Sequence, residues 1–203
     1  MGLSRGIMIT NLTKLVTIAL GLLFYGSSVN GAAMPEQGSI EAELLNRLGS
    51  ASTEPDGRKA ESHVWEFWFN ESPGIEERKL LDQGRKRRES YDYAAAEKLF
   101  DELVEKAPDY AEGYNQRAFV RFLRENYDGA LADLEVTLQM KPWHFGALSG
   151  MYHVLRLQNR HGAAFDLLQK AVEVHPWIQE RGALPREMWP EKYRLIHEPG
   201  QEI

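Results

Sequence analysis

The chain of 203 residues contains no cysteine. That excludes disulfides, thiolate metal centres, a cysteine nucleophile and a lipoprotein anchor. Basic residues are also in deficit. Lys and Arg number 24 against 30 Asp and Glu, a formal charge of −6, so there is no excess of cations from which to build a phosphate-binding stripe. Nucleic acid is therefore not an expected partner. No strand pattern is evident, and so no glycine-rich phosphate loop follows one. Carboxylates are plentiful but dispersed on polar faces, Asp133 among them on a face expected to be solvated, and no Ser/His/Asp constellation stands out. His144, His153, His161 and His175 are spaced by 9, 8 and 14 residues, which places no two of them as an i, i+4 ligand pair on one helix. The sequence gives no reason to expect a metal, a cofactor or an enzyme. With 43% apolar and 27% charged residues, it fits a soluble globular protein rather than a disordered chain or a membrane bundle.

Long apolar runs are scarce. The run Leu15 to Gly26 has 12 residues, about 18 Å as a helix against roughly 30 Å of hydrocarbon. Arg5 and Lys14 precede it with no acidic residue, and small residues follow, with Gly31 and Ala33 placed at −3 and −1 of a cleavage point before Met34. This is the secretory pattern. Residues 1–33 are expected to be a signal peptide, with an uncleaved inner-membrane anchor as the alternative. Cleavage would remove the two bases Arg5 and Lys14 and no acid, leaving a charge of −8. Small size and the lack of cysteine make a bacterial periplasm the expected compartment.

What the sequence does contain is a repeat. Pro108, Pro142 and Pro176 are spaced by 34, and other columns share that register: Ala96, Ala130 and Ala164; Phe100, Leu134 and Leu168; Tyr93, Tyr127 and His161; Leu80, Tyr114 and Leu148. Each unit reads as two amphipathic stretches split by a polar turn such as Glu125–Asn126. The alanine column permits close helix approach, and the bulky residue four positions on fills the space between hairpins. Proline ends the second helix. A lone hairpin cannot bury its apolar face, so several must stack.

These columns resemble the tetratricopeptide-repeat family from Glu77 to Ile178. The glycine of the family's first helix is present as Gly84, but is Ala118 and Tyr152 in the next units. The usual tyrosine or aliphatic column holds Arg87 and Arg121, and only Leu155 conforms. Such arginines must snorkel outward or pair across the hairpin. In the family one side of each first helix lines a concave groove. Carried over, that side is Arg78, Leu81, Arg85 and Arg88, then Asn115, Phe119 and Phe122, then Ser149, His153 and Arg156. The resemblance thus implies a peptide-binding groove, basic at one end and aromatic in the middle, suited to an acidic and apolar segment. The carboxylate clamp of one subclass is not expected, since its columns hold Leu81, Arg85, Gln116, Gly146 and Gly150.

Upstream, Ser39 can cap a helix with Ile40, Leu44, Leu45 and Leu48, and Thr53–Pro55 a second with Ala60, Val64, Trp65 and Trp68 on one face. This hairpin is expected to cap the open end of the first unit, or to be a degenerate repeat. Downstream, Pro185 and Pro190 break the apolar set Leu184, Met188, Trp189, Tyr193 and Ile196 into short pieces. The expected fold is all-α, a short right-handed superhelical solenoid of three hairpins with N- and C-terminal helical caps. Its organisation is 1–33 signal, 34–76 linker and N-terminal hairpin, 77–110, 111–144 and 145–178 repeats, and 179–203 C-terminal cap and tail. The expected function is a non-catalytic adaptor or scaffold that holds a protein or peptide partner. The alternative is a membrane-tethered structural subunit of an envelope complex, with membrane contact only if the N-terminal segment is retained.

Overall fold

The computed structural model describes residues 34–197; the expected signal segment and Ile196's side chain lie outside what it describes. Among the described residues every regular element is helical. They are α1 (Ile40–Gly49), α2 (Glu54–Asn70), α3 (Ile75–Glu89), α4 (Tyr93–Lys106), α5 (Ala111–Leu123), α6 (Tyr127–Met140), α7 (Phe145–Leu157) and α8 (His161–Val174), then two 3-10 turns (Gln179–Ala183 and Arg186–Met188) and α9 (Glu191–His197). Helices α3/α4, α5/α6 and α7/α8 are the three hairpins, each packed on the next as a solenoid.

The hairpin turns repeat to the residue. Tyr91, Glu125 and Asn159 all have φ near +60°, a left-handed stop that ends the first helix of each hairpin. The amide of the next residue then donates back to Arg87, Arg121 and Leu155 respectively, each at 2.9 Å. Asp92 and Asn126 cap the following helices through their side chains. The alanine column is fully buried at Ala96, Ala130 and Ala164. Beside it, a Cβ on Gly84 would sit 2.5 Å from the Phe100 ring, so the largest side chain of its column requires a glycine opposite.

Two positions depart from expectation. His161 is exposed and fills no structural tyrosine site. Asp133, on what reads as a solvated face, is 3% exposed. It accepts from Arg117 at 2.9 and 2.6 Å and from Arg121 at 2.9 Å. Arg121 also reaches Glu97 at 3.0 Å, where Arg124 joins it. A layer of ions thus stands between the first and second hairpins, where the family's pattern would place apolar side chains. Arg87 instead snorkels outward to Asp92, 3.3 Å away. The apolar core is correspondingly divided into one cluster around Phe100 and a larger one running from Leu134 to Tyr193.

The N-terminal hairpin forms but does not sit on the first repeat's open end. That face needs no cover. Lys79, Gln83 and Lys86 are exposed there, whereas Gly113, Arg117 and Val120, one repeat later, pack inward. A polar outer face is what a terminal repeat requires. Helices α1 and α2 instead lie along the row of turns that link hairpin to hairpin. Tyr110 Oη donates to the Trp68 carbonyl at 3.0 Å. Glu41 accepts from Lys141 at 2.8 Å, from Trp143 Nε1 at 2.8 Å and from Trp68 Nε1 at 2.6 Å. Trp177 Nε1 donates to the Ala51 carbonyl at 2.8 Å. Each turn supplies its anchor from just beyond the proline column. Trp68, Leu45, Leu48 and Val64 are thereby buried in the larger cluster.

Candidate functional site

Docking α2 along the turns brings one of its faces over the inner helices α3, α5 and α7. Between them lies a cleft of about 680 Å³. Trp65, Glu66 and Phe69 of α2 form one wall; Arg88, Phe119, Phe122, Gly146, Ser149 and His153 form the other. Gly146 makes the approach possible, since a Cβ there would lie 2.4 Å from the Trp65 ring. Trp65 is held edge-on against Phe145 at 5.0 Å and His144 at 5.7 Å.

His144 is fully buried and sets the floor of this wall. Its Nδ1 accepts from the Ala147 amide at 3.1 Å, so the remaining ring N–H, on Nε2, donates to Glu112 at 2.9 Å. Its ring stacks on Trp68 at 4.0 Å. Glu112 in turn accepts from Asn115 and Gln116, fixing two side chains that face the cleft.

Of the sequence-derived groove residues, Arg78, Arg88, Asn115, Phe119, Phe122, Ser149 and His153 do line the cleft. Leu81 does not. It is fully buried in the first hairpin's core, because the turn of helix that should expose it packs against Phe100's cluster. Arg85 is covered from above: its guanidinium lies 4.0 Å from the centre of the Phe69 ring, and its Nε is buried without a hydrogen-bond partner. Arg156 points out of the cleft and donates to Tyr152 Oη at 3.1 Å. A shallower recess shared with Gln179 and Gly182 receives it.

The ends of the cleft differ in charge. At the first-repeat end Arg88 donates to Gln116 and lies over the Phe119 ring at 4.9 Å. Burial, with the neighbouring Arg85 charge, pulls its pKa below the usual arginine range. At the third-repeat end stand Glu61 and Glu180. The cleft continues there into a second recess past Trp65, Gly146 and Ser149 to Trp177. Glu180 accepts from His153 at 2.9 Å. Burial pushes its carboxyl up, but hydrogen bonds from His153, its own backbone amide and Ser149 outweigh that and hold it below the ordinary value. Glu61 is likewise held down, chiefly by His175, whose Nε2 is 3.4 Å away.

Sequence reasoning missed the whole α2 wall, Phe69 included, because it assigned the tryptophans to a cap, and it missed Glu180 of the 3-10 turn Gln179–Ala183. A signal was present. Trp143 and Trp177 are 34 residues apart and each follows a column proline, an aromatic repeat that calls for a common docking surface. Among the described residues no group of three or more His, Asp or Glu side chains could hold a metal ion. No helix among them is long and apolar enough to cross a membrane.

No protein-family model matches the chain. A TPR repeat-containing protein of Rhizobium etli is 29% identical over 147 residues, which is 72% of this chain and 71% of the relative. Among solved structures, the TPR2B-domain:pHsp70 complex of yeast Sti1 superposes with a TM-score of 0.48 and 20% identity, covering 61% of this chain and 97% of that one. The TPR2AB-domain:pHSP90 complex of yeast Sti1 gives 0.49 and 18%, covering 70% and 55%. With three stacked 34-residue helix hairpins that share small, bulky and proline columns, and a relative so named across most of both chains, the protein is similar to tetratricopeptide-repeat proteins.

Proposed function

We propose that the chain is a non-catalytic interaction module that holds a polypeptide segment, in extended form, in the cleft between α2 and the inner helices. The observation that carries this is the aromatic cleft itself. Phe119 is 46% exposed although it is a large apolar side chain at the centre of the concave face. Trp65, Phe69 and Phe122 surround it. Exposed aromatics in a concavity rimmed by charges suit anchor residues for a partner.

The extended form follows from α2, which lies along the concave face and lines the cleft with Trp65, Glu66 and Phe69. An extended strand is narrower than a helix about 10 Å across and can lie beside α2 along the inner helices. Export through residues 1–33 and action in the periplasm complete the proposal; the charge and small-residue pattern before Met34 supports them.

The test is capture of envelope proteins by wild type, Phe119→Ala and Glu135→Ala, the last on the exposed outer surface. Truncating an anchor costs about 2 kcal/mol or more of binding. Loss with Phe119→Ala alone is expected. Loss with Glu135→Ala alone would move the interaction surface to the outer helices.

A further inference from the structure

The cleft is polarised along its length, and the polarity has a measurable spacing. Helix α2 serves as the ruler. Its Phe69 lies against Arg85 at the cationic end, and its Glu61 belongs to the anionic end. Eight residues of helix separate them, about 12 Å. Over that distance an extended chain advances by about four residues at roughly 3.3 Å each. Between the ends the walls are apolar rings, Trp65 on one side and Phe119 and Phe122 on the other.

Each end holds like charges facing one another. Arg88 feels Arg85, and in the cleft it meets the neutral Gln116 and the Phe119 ring. Glu61 feels Glu180. Trp65 Nε1 donates to Glu61 at 3.2 Å with His175 Nε2 3.4 Å away, and His153 bonds Glu180 at 2.9 Å; none of these neighbours is a lysine or arginine. Two arginines line the same recess but are held by other groups, and Arg181 also lies over the Trp177 ring at 5.4 Å. Arg181 bonds Glu54 and the carbonyls of Trp177 and Ile178, and Arg58 pairs with Glu54.

We propose that the cleft takes an extended segment carrying an acidic and a basic side chain about four positions apart, with an apolar side chain between them. The acidic group meets Arg88 and the basic group enters between Glu61 and Glu180. The inference rests on the cleft being a polypeptide site. It adds the composition and spacing of what binds.

A displayed library of random heptapeptides, selected on the wild-type protein, is the probe. Enriched sequences should carry an acid and a base three to five positions apart around an apolar residue. Re-selection on Arg88→Gln should lose the acid and keep the base, and on Glu180→Gln should weaken the preference for the base. A wild-type-selected peptide should bind each variant about tenfold less tightly at low salt, with circular dichroism unchanged. Enriched peptides without the charge pair, but still lost on Phe119→Ala, would overturn this inference and leave the groove function standing. Enrichment that neither Phe119→Ala nor Arg88→Gln affects would overturn both.

Discussion

Removing the Asp133 carboxylate tests whether the ion layer between the first two hairpins carries stability. Asp133→Ala deletes three charge-assisted bonds, two from Arg117 and one from Arg121. Breaking a buried pair from one side costs about 3–5 kcal/mol when the other charge is stranded. Here the stranding is partial. Arg117 keeps Asp101 at 3.0 Å and Arg121 keeps Glu97 at 3.0 Å, and Asp101 is half exposed. A loss of about 2–3 kcal/mol is therefore expected, comparable to the about 1–3 kcal/mol that overpacking by Ala130→Leu should cost. Urea unfolding of Asp133→Ala, Arg117→Ala and the double variant measures it, and the cycle isolates the coupling, expected at about 1–2 kcal/mol. Glu135→Ala, two residues further on and exposed, should stay within about 0.5 kcal/mol of wild type. If Asp133→Ala unfolds at the same urea concentration as Glu135→Ala, the layer is solvated and the reasoning fails.

Glycine substitutions separate close packing from helix propensity. Gly162→Ala meets nothing within 4 Å and should stabilise by about 0.5 kcal/mol. Gly57→Ala would drive a Cβ to 2.5 Å from Trp177 and should lower the thermal midpoint, with a net loss of about 1 kcal/mol. Acid should destabilise the fold. Burial raises the Glu97 carboxyl, but Arg121 and Arg124 more than reverse it, and Glu61 and Glu180 are also held down. Their contribution is complete above the unfolded value near 4.5 and is lost as pH falls through the depressed folded values. Burial raises Glu71 and Glu173 and works in the opposite sense. A melting series should fall below about pH 4.5, less steeply in Glu97→Gln; an unchanged slope in that variant would remove Glu97 from the account. Intact mass of the exported protein should correspond to a start near Met34, and a full-length mass in the membrane fraction would favour the tethered alternative.

The hairpins were legible in the sequence because a 34-residue period repeats the same local problem three times. Alanine where helices touch and proline where they end leave a column that can be read without coordinates. The inner face was legible for the same reason at Phe119, Phe122 and His153. It failed at Leu81, since one helical turn cannot be assigned to groove or core when an arginine and a leucine lie side by side. The docking of α1 and α2 was legible on one side alone, in the Trp143 and Trp177 repeat. Its contacts join Glu41 to Lys141 and Ala51 to Trp177, pairs with no periodic relation, and hydrophobic patterning names an apolar face without naming its partner. Asp133 misled because burial by arginine looks, in a sequence, the same as solvation.

The strap along the hairpin turns also sets an order of assembly. A solenoid ordinarily folds by contacts between neighbours and can begin anywhere. Here α1 is anchored through Glu41 to Trp143 and through Ala51 to Trp177, more than 100 residues later in the chain, while Tyr110 holds the end of α2 sooner. Such long closures slow folding, because the entropy of the loop is lost before the contact is gained. During N-to-C emergence the hairpins can stack while Trp65, Trp68 and Leu48 wait without a surface to cover them. The interval between emergence of the N-terminal hairpin and arrival of Trp177 is the period in which this apolar surface stands uncovered, the condition that favours aggregation.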